Sequence, residues 1–466
     1  MGALLEMPLK ATSELTQHQQ AAYDLLLAVA TGGKDTMMAT LEGYAGTGKT
    51  FLMGKLVKEL SEQGIRVAIA APTNKAVAVL REKVGGDLVH AASIHSLLGL
   101  KMKELENGAQ ECVPDGESSL HEYGVVVVDE CSMVSQDMFS RILFSRGACK
   151  VIFVGDPAQL PPVGDDLESP VFRDVKMRVR LSEIVRQAAD NPIIGLSMQI
   201  RSAIEEQRRA GYVELSQSLH ADGPAKAGFV TGGSSAVFDI ALQVHQSGGD
   251  CRVVAYTNKQ VRQYNLRLHQ ALYGYTDCEF SPGESVIAHE EMRATEMVDA
   301  SNGELISVGT SVRIITSEEL EVVDVSRAEG GLYGFEYFQL ILRRDDGSLV
   351  RAAFPAIPGQ LEDAIRQRWA EWRAIKAQAE AEQDATQRRK LMEKAKEMSG
   401  QTWAIRRAFA PLRHAYAITA HKSQGSTFHT VIVDWGDLSG MRRDFEFNRA
   451  LYVACTRASE HLAIVV

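Results

Sequence analysis

No stretch of the 466-residue chain approaches the roughly 18 consecutive apolar residues that a membrane-spanning helix needs. Met1–Lys10 also lacks the basic-then-apolar pattern of a secretory leader, so the expected location is cytoplasmic, with no membrane partner. Six cysteines, Cys112, Cys131, Cys149, Cys251, Cys278 and Cys455, stand without any CxxC spacing. That spacing argues against a zinc ribbon, an iron–sulfur cluster or a disulfide framework, and reduced, mostly buried thiols are expected. Aromatic residues make up only 7% of the chain, and residues 101–120 contain no Phe, Tyr or Trp at all. Basic charge is short as well: 50 Lys and Arg against 60 Asp and Glu give a net charge of −10. Phosphate neutralisation supplies much of the affinity of most nucleic-acid binders, so this balance speaks against attraction over the whole surface. A locally basic channel with many neutral contacts stays open.

What remains is ordinary for a soluble protein: 45% hydrophobic and 24% charged residues, over a length that accommodates two or three domains. Against that background two phosphate-handling segments stand out at opposite ends. Gly43-Tyr44-Ala45-Gly46-Thr47-Gly48-Lys49-Thr50 is a complete Walker A loop, and Leu451–Ala458 carries Arg457, which can reach the same nucleotide from another domain. The context of the loop supports it. Thr36–Leu41 reads as a strand entering the loop, and Phe51, Leu52, Leu56, Val57 and Leu60 recur at helical spacing up to Gly64. In such a loop Gly43, Ala45, Gly46, Thr47 and Gly48 offer backbone N–H groups to phosphate oxygens, Lys49 adds a point charge, and Thr50 presents a hydroxyl to Mg²⁺.

Three near-continuous apolar runs, Arg66–Ala71, Gly124–Val128 and Lys150–Val154, look like strands buried on both faces of a parallel sheet. Each ends in polar residues, and ligands of an open α/β sheet bind at the carboxyl ends of its strands. The second run delivers Asp129, suited to hold Mg²⁺, and Glu130, suited to orient or deprotonate water. The third delivers Gln159, whose amide can donate to a γ-phosphate oxygen and accept from water.

In series these motifs resemble the superfamily 1 helicases of subclass B, most closely the bacteriophage Dda and RecD-like branch. Further matches are Leu15–Gln19, Ser93–Ser96, Leu181–Gln187, Ala255–Lys259 and Ala420–Ser426, all in family order. The resemblance implies two RecA-like parallel-sheet P-loop domains with ATP and Mg²⁺ between them, Gln19 at the adenine, Gly425 at the nucleotide, and Arg186 and Arg457 as arginine fingers. It also implies that Pro72, Thr73, His95, Ser96, Thr257, Asn258, His421 and Ser423 touch a single strand without reading its sequence. Expected boundaries are 1–168 for the first domain, with a pin insertion at 101–120, and 169–304 with 401–466 for the second. A small SH3-like β-barrel insertion is expected at 305–358, from the alternation and turns of Val308–Phe354, and a helical hairpin at 359–400. In that hairpin Trp369 and Trp372 are expected to pack on the partner helix rather than on DNA.

The implied activity is an ATP-dependent DNA helicase moving 5′ to 3′ on single strands and opening forked duplex, in replication, recombination or repair. A monomer is the family default, single-stranded-DNA-binding or replication proteins are the expected partners, and the setting is a bacterial cell or a phage's host. Three competing functions differ in what they demand. A translocase that displaces proteins while unwinding little fits the plain pin. A nucleotide-switched scaffold would lack Glu130, Gln159, Arg186 or Arg457, all of which are present. A small-molecule kinase on the Walker fold leaves Ala417–Gly425 unexplained.

Overall fold

The computed structural model describes residues 15–33, 36–84, 89–104, 110–162, 164, 168–183, 191–217, 226–299 and 305–466. The first half supplies β1 (Met38–Gly43), β2 (Val67–Ala71), β3 (His90–Ser93), β4 (Leu100–Glu104), β5 (Gln110–Pro114), β6 (Val125–Val128), β7 (Lys150–Gly155) and β8 (Met177–Leu181). Six of these form one sheet in the order β3-β2-β6-β7-β1-β8, and every ladder in it is parallel. Successive residues of β6 and β7 serve two cores. Val125, Val127, Ile152 and Val154 pack with Leu26, Leu52 and Leu56 on one face, whereas Val126, Val128, Val151 and Phe153 pack with Phe139, Ile142 and Phe172 on the other. Burial on both faces is why these strands read as unbroken apolar runs. Because β8 pairs with β1, the first sheet extends to Leu181, beyond the boundary expected at 168.

A second parallel sheet is built from β9 (Lys226–Val230) and β10 (Cys251–Ala255) and, far along the chain, from β18 (Ala417–Thr419), β19 (Phe428–Asp434) and β20 (Ala458–Val465), in the order β18-β10-β19-β20-β9. These two parallel sheets, each flanked by helices, are the two RecA-like domains that the resemblance implied. Between the halves of the second sheet lie β11 (Ser285–Ala288), β12 (Met292–Asp299), β13 (Leu305–Ile314), β14 (Glu319–Arg327), β15 (Tyr337–Arg343), β16 (Leu349–Pro355) and β17 (Leu412–His414), which make an antiparallel sheet in the order β13-β12-β16-β15-β14-β11-β17. The insertion therefore takes in strands on both sides of the expected 305–358. Among the described residues no ladder joins β13 to β17, so the ring closure of a barrel is not seen. One face of this sheet buries Val286, Leu320, Val322, Leu340, Leu342, Val350 and Phe354.

From this sheet project two 24-residue helices, Pro358–Ala381 and Ala385–Ala408. They are longer than the pattern suggested. Trp369, 5% exposed, meets Trp403 of the second helix with ring centroids 5.4 Å apart and Trp372 at 5.8 Å, so it packs within the hairpin as expected. The β4–β5 ladder forms an antiparallel hairpin in the place expected for the pin. It ends at Pro114. Leu120 is fully buried and the Ser118 hydroxyl donates to the Leu97 carbonyl at 3.1 Å, so residues 118–120 belong to the first domain's body.

Candidate nucleotide site and strand-facing surface

The phosphate loop joins β1 to the helix Lys49–Glu62, and its shape depends on glycine. Gly46 (φ 82°) and Gly48 (φ 80°) sit in the left-handed region, where a side chain would be strained. At Gly43 a Cβ would lie 2.6 Å from Thr47 Oγ1, so only glycine lets the chain fold back this closely. The Thr47 hydroxyl donates to the Tyr44 carbonyl at 2.8 Å, and Lys49 Nζ donates to the carbonyls of Gly43 (2.6 Å) and Tyr44 (3.0 Å). The Lys49 ammonium thus rests on the loop's own carbonyls and the Thr47 N–H donates to the Tyr44 carbonyl at 3.3 Å; this cation and the other amides of the loop are a donor set that fits a polyphosphate. Gln19 is fastened to it: Nε2 donates to the Thr47 carbonyl at 3.0 Å, while Oε1 accepts from the Thr16 N–H in a capping box that starts the helix Gln17–Thr31.

Asp129 and Glu130 follow β6. Glu130 adopts a left-handed backbone (φ 51°), unusual for a non-glycine residue, and its N–H donates to Asp129 Oδ1 at 2.9 Å. Gln159 sits on the turn after β7, 7% exposed, with its N–H on the Asp156 carbonyl at 3.1 Å. The second domain closes over this turn. Ala158 and Leu160 pack into the second domain's core, Gln424 Nε2 donates to the Leu160 carbonyl at 3.1 Å, and an Arg449 guanidinium N–H donates to the Gln159 carbonyl at 2.8 Å. Gly425 (φ 72°) lies in the same seam, where an added Cβ would be 3.8 Å from Ala76 of the first domain.

Arg457 enters from the second domain. It is 8% exposed and donates to the carbonyls of Val453 and Ser426, both at 3.1 Å, and to Thr456 Oγ1 at 3.0 Å. Burial pulls its guanidinium below the usual range, and the carboxylate of Glu130, then Tyr452 and Asp156, work against that pull. The arginine therefore feels the charge of the carboxylate suited to water activation across the domain seam, while its own hydrogen bonds go to the second domain. Arg186, the other expected finger, lies outside the described residues. Four cleft residues escaped the sequence reading: Tyr44, Arg201, Arg449 and Tyr452. Tyr44 and Tyr452 lie within the two phosphate-handling segments, but the contacts of all four cross the domain seam, which no local pattern shows.

The expected strand contacts cluster at the other edge of both sheets. Pro72 and Thr73 follow β2, and His95 and Ser96 follow β3; Thr257 and Asn258 follow β10, and His421 follows β18. These four strands are the paired edges β3-β2 and β18-β10. Burial lowers the pKa of both His95 and His421, with Glu446 opposing it at His421, so both rings favour the neutral form. Two residues depart from expectation. Ser423 is fully buried and its hydroxyl donates to the Ala420 carbonyl at 2.8 Å, so it presents no surface to a strand. The Thr257 hydroxyl caps the helix Asn258–Tyr273 and donates to Asp437 at 3.0 Å, and the Tyr256 and Thr257 N–H groups donate to the same carboxylate at 2.7 Å, leaving Asn258 and its exposed neighbours Tyr256 and Lys259 as the part of that motif open to a strand.

Two parallel-sheet domains, one carrying a phosphate loop and the other an arginine at the shared cleft, define a two-domain P-loop NTPase. The comparisons narrow the class. A family model described as an AAA domain matches residues 14–221, and a UvrD-like helicase C-terminal domain model matches residues 414–465. The ATP-dependent DNA helicase Dda of Enterobacteria phage T4 is 29% identical over 345 residues, covering 70% of this chain and 73% of Dda. The ATP-dependent RecD2 DNA helicase of Deinococcus radiodurans is 27% identical over 360 residues, covering 73% of this chain and 45% of RecD2. A structure described as the basis for DNA unwinding at forked duplexes by two Pif1 helicases resembles the chain with a TM-score of 0.48 at 17% identity, across 97% of this chain and 92% of that one. In sequence the chain is thus similar to the helicases of superfamily 1, subclass B, of the Dda and RecD-like branch. No helix among the described residues is long and apolar enough to cross a membrane.

Proposed function

We propose that the chain is an ATP-dependent DNA helicase that moves 5′ to 3′ along single-stranded DNA and opens the duplex of a fork ahead of it. The observation that carries this is the division of labour across the two sheets. Lys49, Glu130 and Gln159 follow the neighbouring strands β1, β6 and β7, Arg449 and Gln424 of the second domain bond the Gln159 turn, and Arg457 feels the Glu130 charge, while the chain segments after β2, β3, β10 and β18 form a second, separate row. Closing the cleft on ATP moves the two rows relative to one another, and alternate gripping of a strand turns that motion into a step. Hydroxyl, amide and neutral imidazole groups at Thr73, His95, Ser96, Asn258 and His421 suit phosphates and bases of any sequence.

In hydrolysis, Lys49 and the loop amides hold the β- and γ-phosphates and Glu130 orients or deprotonates the attacking water. Gln159 bridges that water and the γ-phosphate, and Arg457 offsets charge developing in the transition state. Mg²⁺ bound with ATP neutralises phosphate charge, and the Thr50 hydroxyl and Asp129 carboxylate are the groups that would hold it. Gln19 supports the loop from behind and reads the adenine edge with its remaining amide proton. Arg186 is the second finger. Lys49 and Arg457 come from a single chain, so a monomer contains a whole site. Replication, recombination or repair is the process served, with single-stranded-DNA-binding or replication proteins as partners.

ATP turnover measured with and without single-stranded oligonucleotides tests the reading. Turnover should rise with strands of any sequence and be nearly abolished in Lys49→Ala, while strand binding persists. Turnover indifferent to DNA contradicts it. The absence of aromatic residues from 101–120 favours one alternative, a translocase that displaces proteins and unwinds weakly. It predicts DNA-stimulated turnover without strand displacement.

A further inference from the structure

Two tyrosines bridge the cleft in opposite directions. Tyr44 belongs to the phosphate loop, is 5% exposed, and has the Arg201 guanidinium lying against the face of its ring. Arg201 stands on the helix Pro192–Glu205, whose Ile193, Leu196 and Ile200 pack into the second domain's core. Its nearest carboxylate is Glu205 at 3.6 Å, and its Nε is buried without a hydrogen-bond partner, so the tyrosine face is a principal contact for this cation. Tyr452 makes the reverse connection. It stands on the second domain's helix Asp444–Cys455, is 1% exposed, and donates its hydroxyl to Asp156 Oδ2 at 2.6 Å. The backbone of Ala45, the next residue of the phosphate loop, lies near the same hydroxyl. Asp156 in turn holds the turn that carries Gln159: Oδ1 accepts from the Ala158 N–H at 2.9 Å, and its carbonyl accepts from the Gln159 N–H at 3.1 Å. At 1% exposure neither Tyr452 nor Asp156 has water competing for the bond.

We infer that the Tyr44–Arg201 and Tyr452–Asp156 contacts form a reciprocal clamp through which closure of the second domain sets the geometry of the phosphate loop and of the Gln159 turn. Tyr452 and Arg201 are positioning residues: they act on hydrolysis through Ala45, Tyr44 and Asp156. The inference rests on the ATPase reading above.

The test uses the full chain, saturating oligothymidylate, and steady-state kinetics of wild type, Tyr452→Phe, Arg201→Ala, Asp156→Asn and the double variant Tyr452→Phe/Asp156→Asn. Tyr452→Phe keeps the packed ring and removes the hydroxyl. Its melting temperature should therefore match wild type, with kcat down about ten-fold and KM for ATP changed less than about two-fold. Arg201→Ala should show the same split. The double variant should lose no more than the worse of its two single variants, because both remove one bond. Wild-type turnover retained in Tyr452→Phe overturns the clamp alone, as do multiplicative losses in the double variant or an effect confined to KM. A wild type that does not hydrolyse ATP overturns the clamp together with the reading beneath it.

Discussion

The proposed mechanism gives each residue of the cleft a distinguishable task, so the variants should fail in different ways. Glu130→Gln keeps the shape and hydrogen-bonding reach of the side chain and loses its basicity. Nucleotide affinity should survive in a fluorescent-nucleotide titration while turnover drops about 10²- to 10⁴-fold. Retained turnover would remove Glu130 from the reaction. Arg457→Ala should lower kcat about 10³-fold or more with a small change in KM, because a finger acts mainly on charge that develops in the transition state. A change confined to KM would contradict that role. Lys49, Thr50, Asp129, Glu130 and Gln159 were legible in the sequence because each follows directly on a strand that advertises itself by unbroken apolarity. Tyr452 and Arg201 were not, because their partners Asp156 and Tyr44 lie more than 150 residues away and in the other domain. Ser423 shows the opposite failure: the motif read as a strand contact, but its hydroxyl closes its own helical turn.

At the scale of elements, the β4–β5 hairpin is the candidate wedge. Gly99 (φ 63°) sets its entry, since a Cβ there would lie 2.6 Å from the Gly116 carbonyl, and the Asp115 N–H closes its base on the Gly99 carbonyl at 2.7 Å. Replacing residues 101–113 with a short glycine linker removes the projecting part and spares the buried Leu120. DNA-stimulated ATPase should persist while strand displacement falls; undiminished displacement would place the wedge elsewhere. A second element-scale contact docks the helical hairpin. Glu290, following β11, accepts from Arg406 of the helix Ala385–Ala408 at 3.0 Å and pairs with His289 at 3.3 Å. The His289 hydrogen bond first, and then the Arg406 charge, hold the Glu290 carboxyl down to about 2 against an ordinary 4.5. A depressed carboxyl pKa stabilises the fold above about 4.5, and that stability is lost as pH falls toward about 2. Glu290→Gln should therefore cost about 2 kcal/mol at neutral pH, after allowance for screening of a quarter-exposed pair. The melting-temperature gap to wild type should close as the buffer is acidified below 4.5. A gap that stays constant with pH would mean the loss is one of packing. The helices were legible from their 3.6-residue period, and β14 to β16 from alternation. The four-residue β11 and three-residue β17 are too short for any period to show, which is why the insertion's true extent emerged only from pairing.

At the scale of the whole molecule, two parallel sheets meet at one seam, and the second is split by a 7-stranded sheet and a helical hairpin before Ala417 resumes it. That long return could be inferred from the sequence only through motif order, because β10 and β18 are adjacent in space and more than 150 residues apart in the chain. Ala158, Leu160, Arg449 and Tyr452 tie the domains together beside the phosphate loop, and these are the contacts through which the proposed mechanism couples nucleotide chemistry to domain closure. Which domain grips the strand more tightly in each state sets the direction of travel. Strand displacement from two duplexes that differ only in whether the single-stranded tail is 5′ or 3′, with ATP and Mg²⁺ at low salt, tests this most directly. Displacement of the 5′-tailed duplex alone is the predicted result. Preference for the 3′ tail would contradict the assigned polarity, and failure on both tails would contradict unwinding itself.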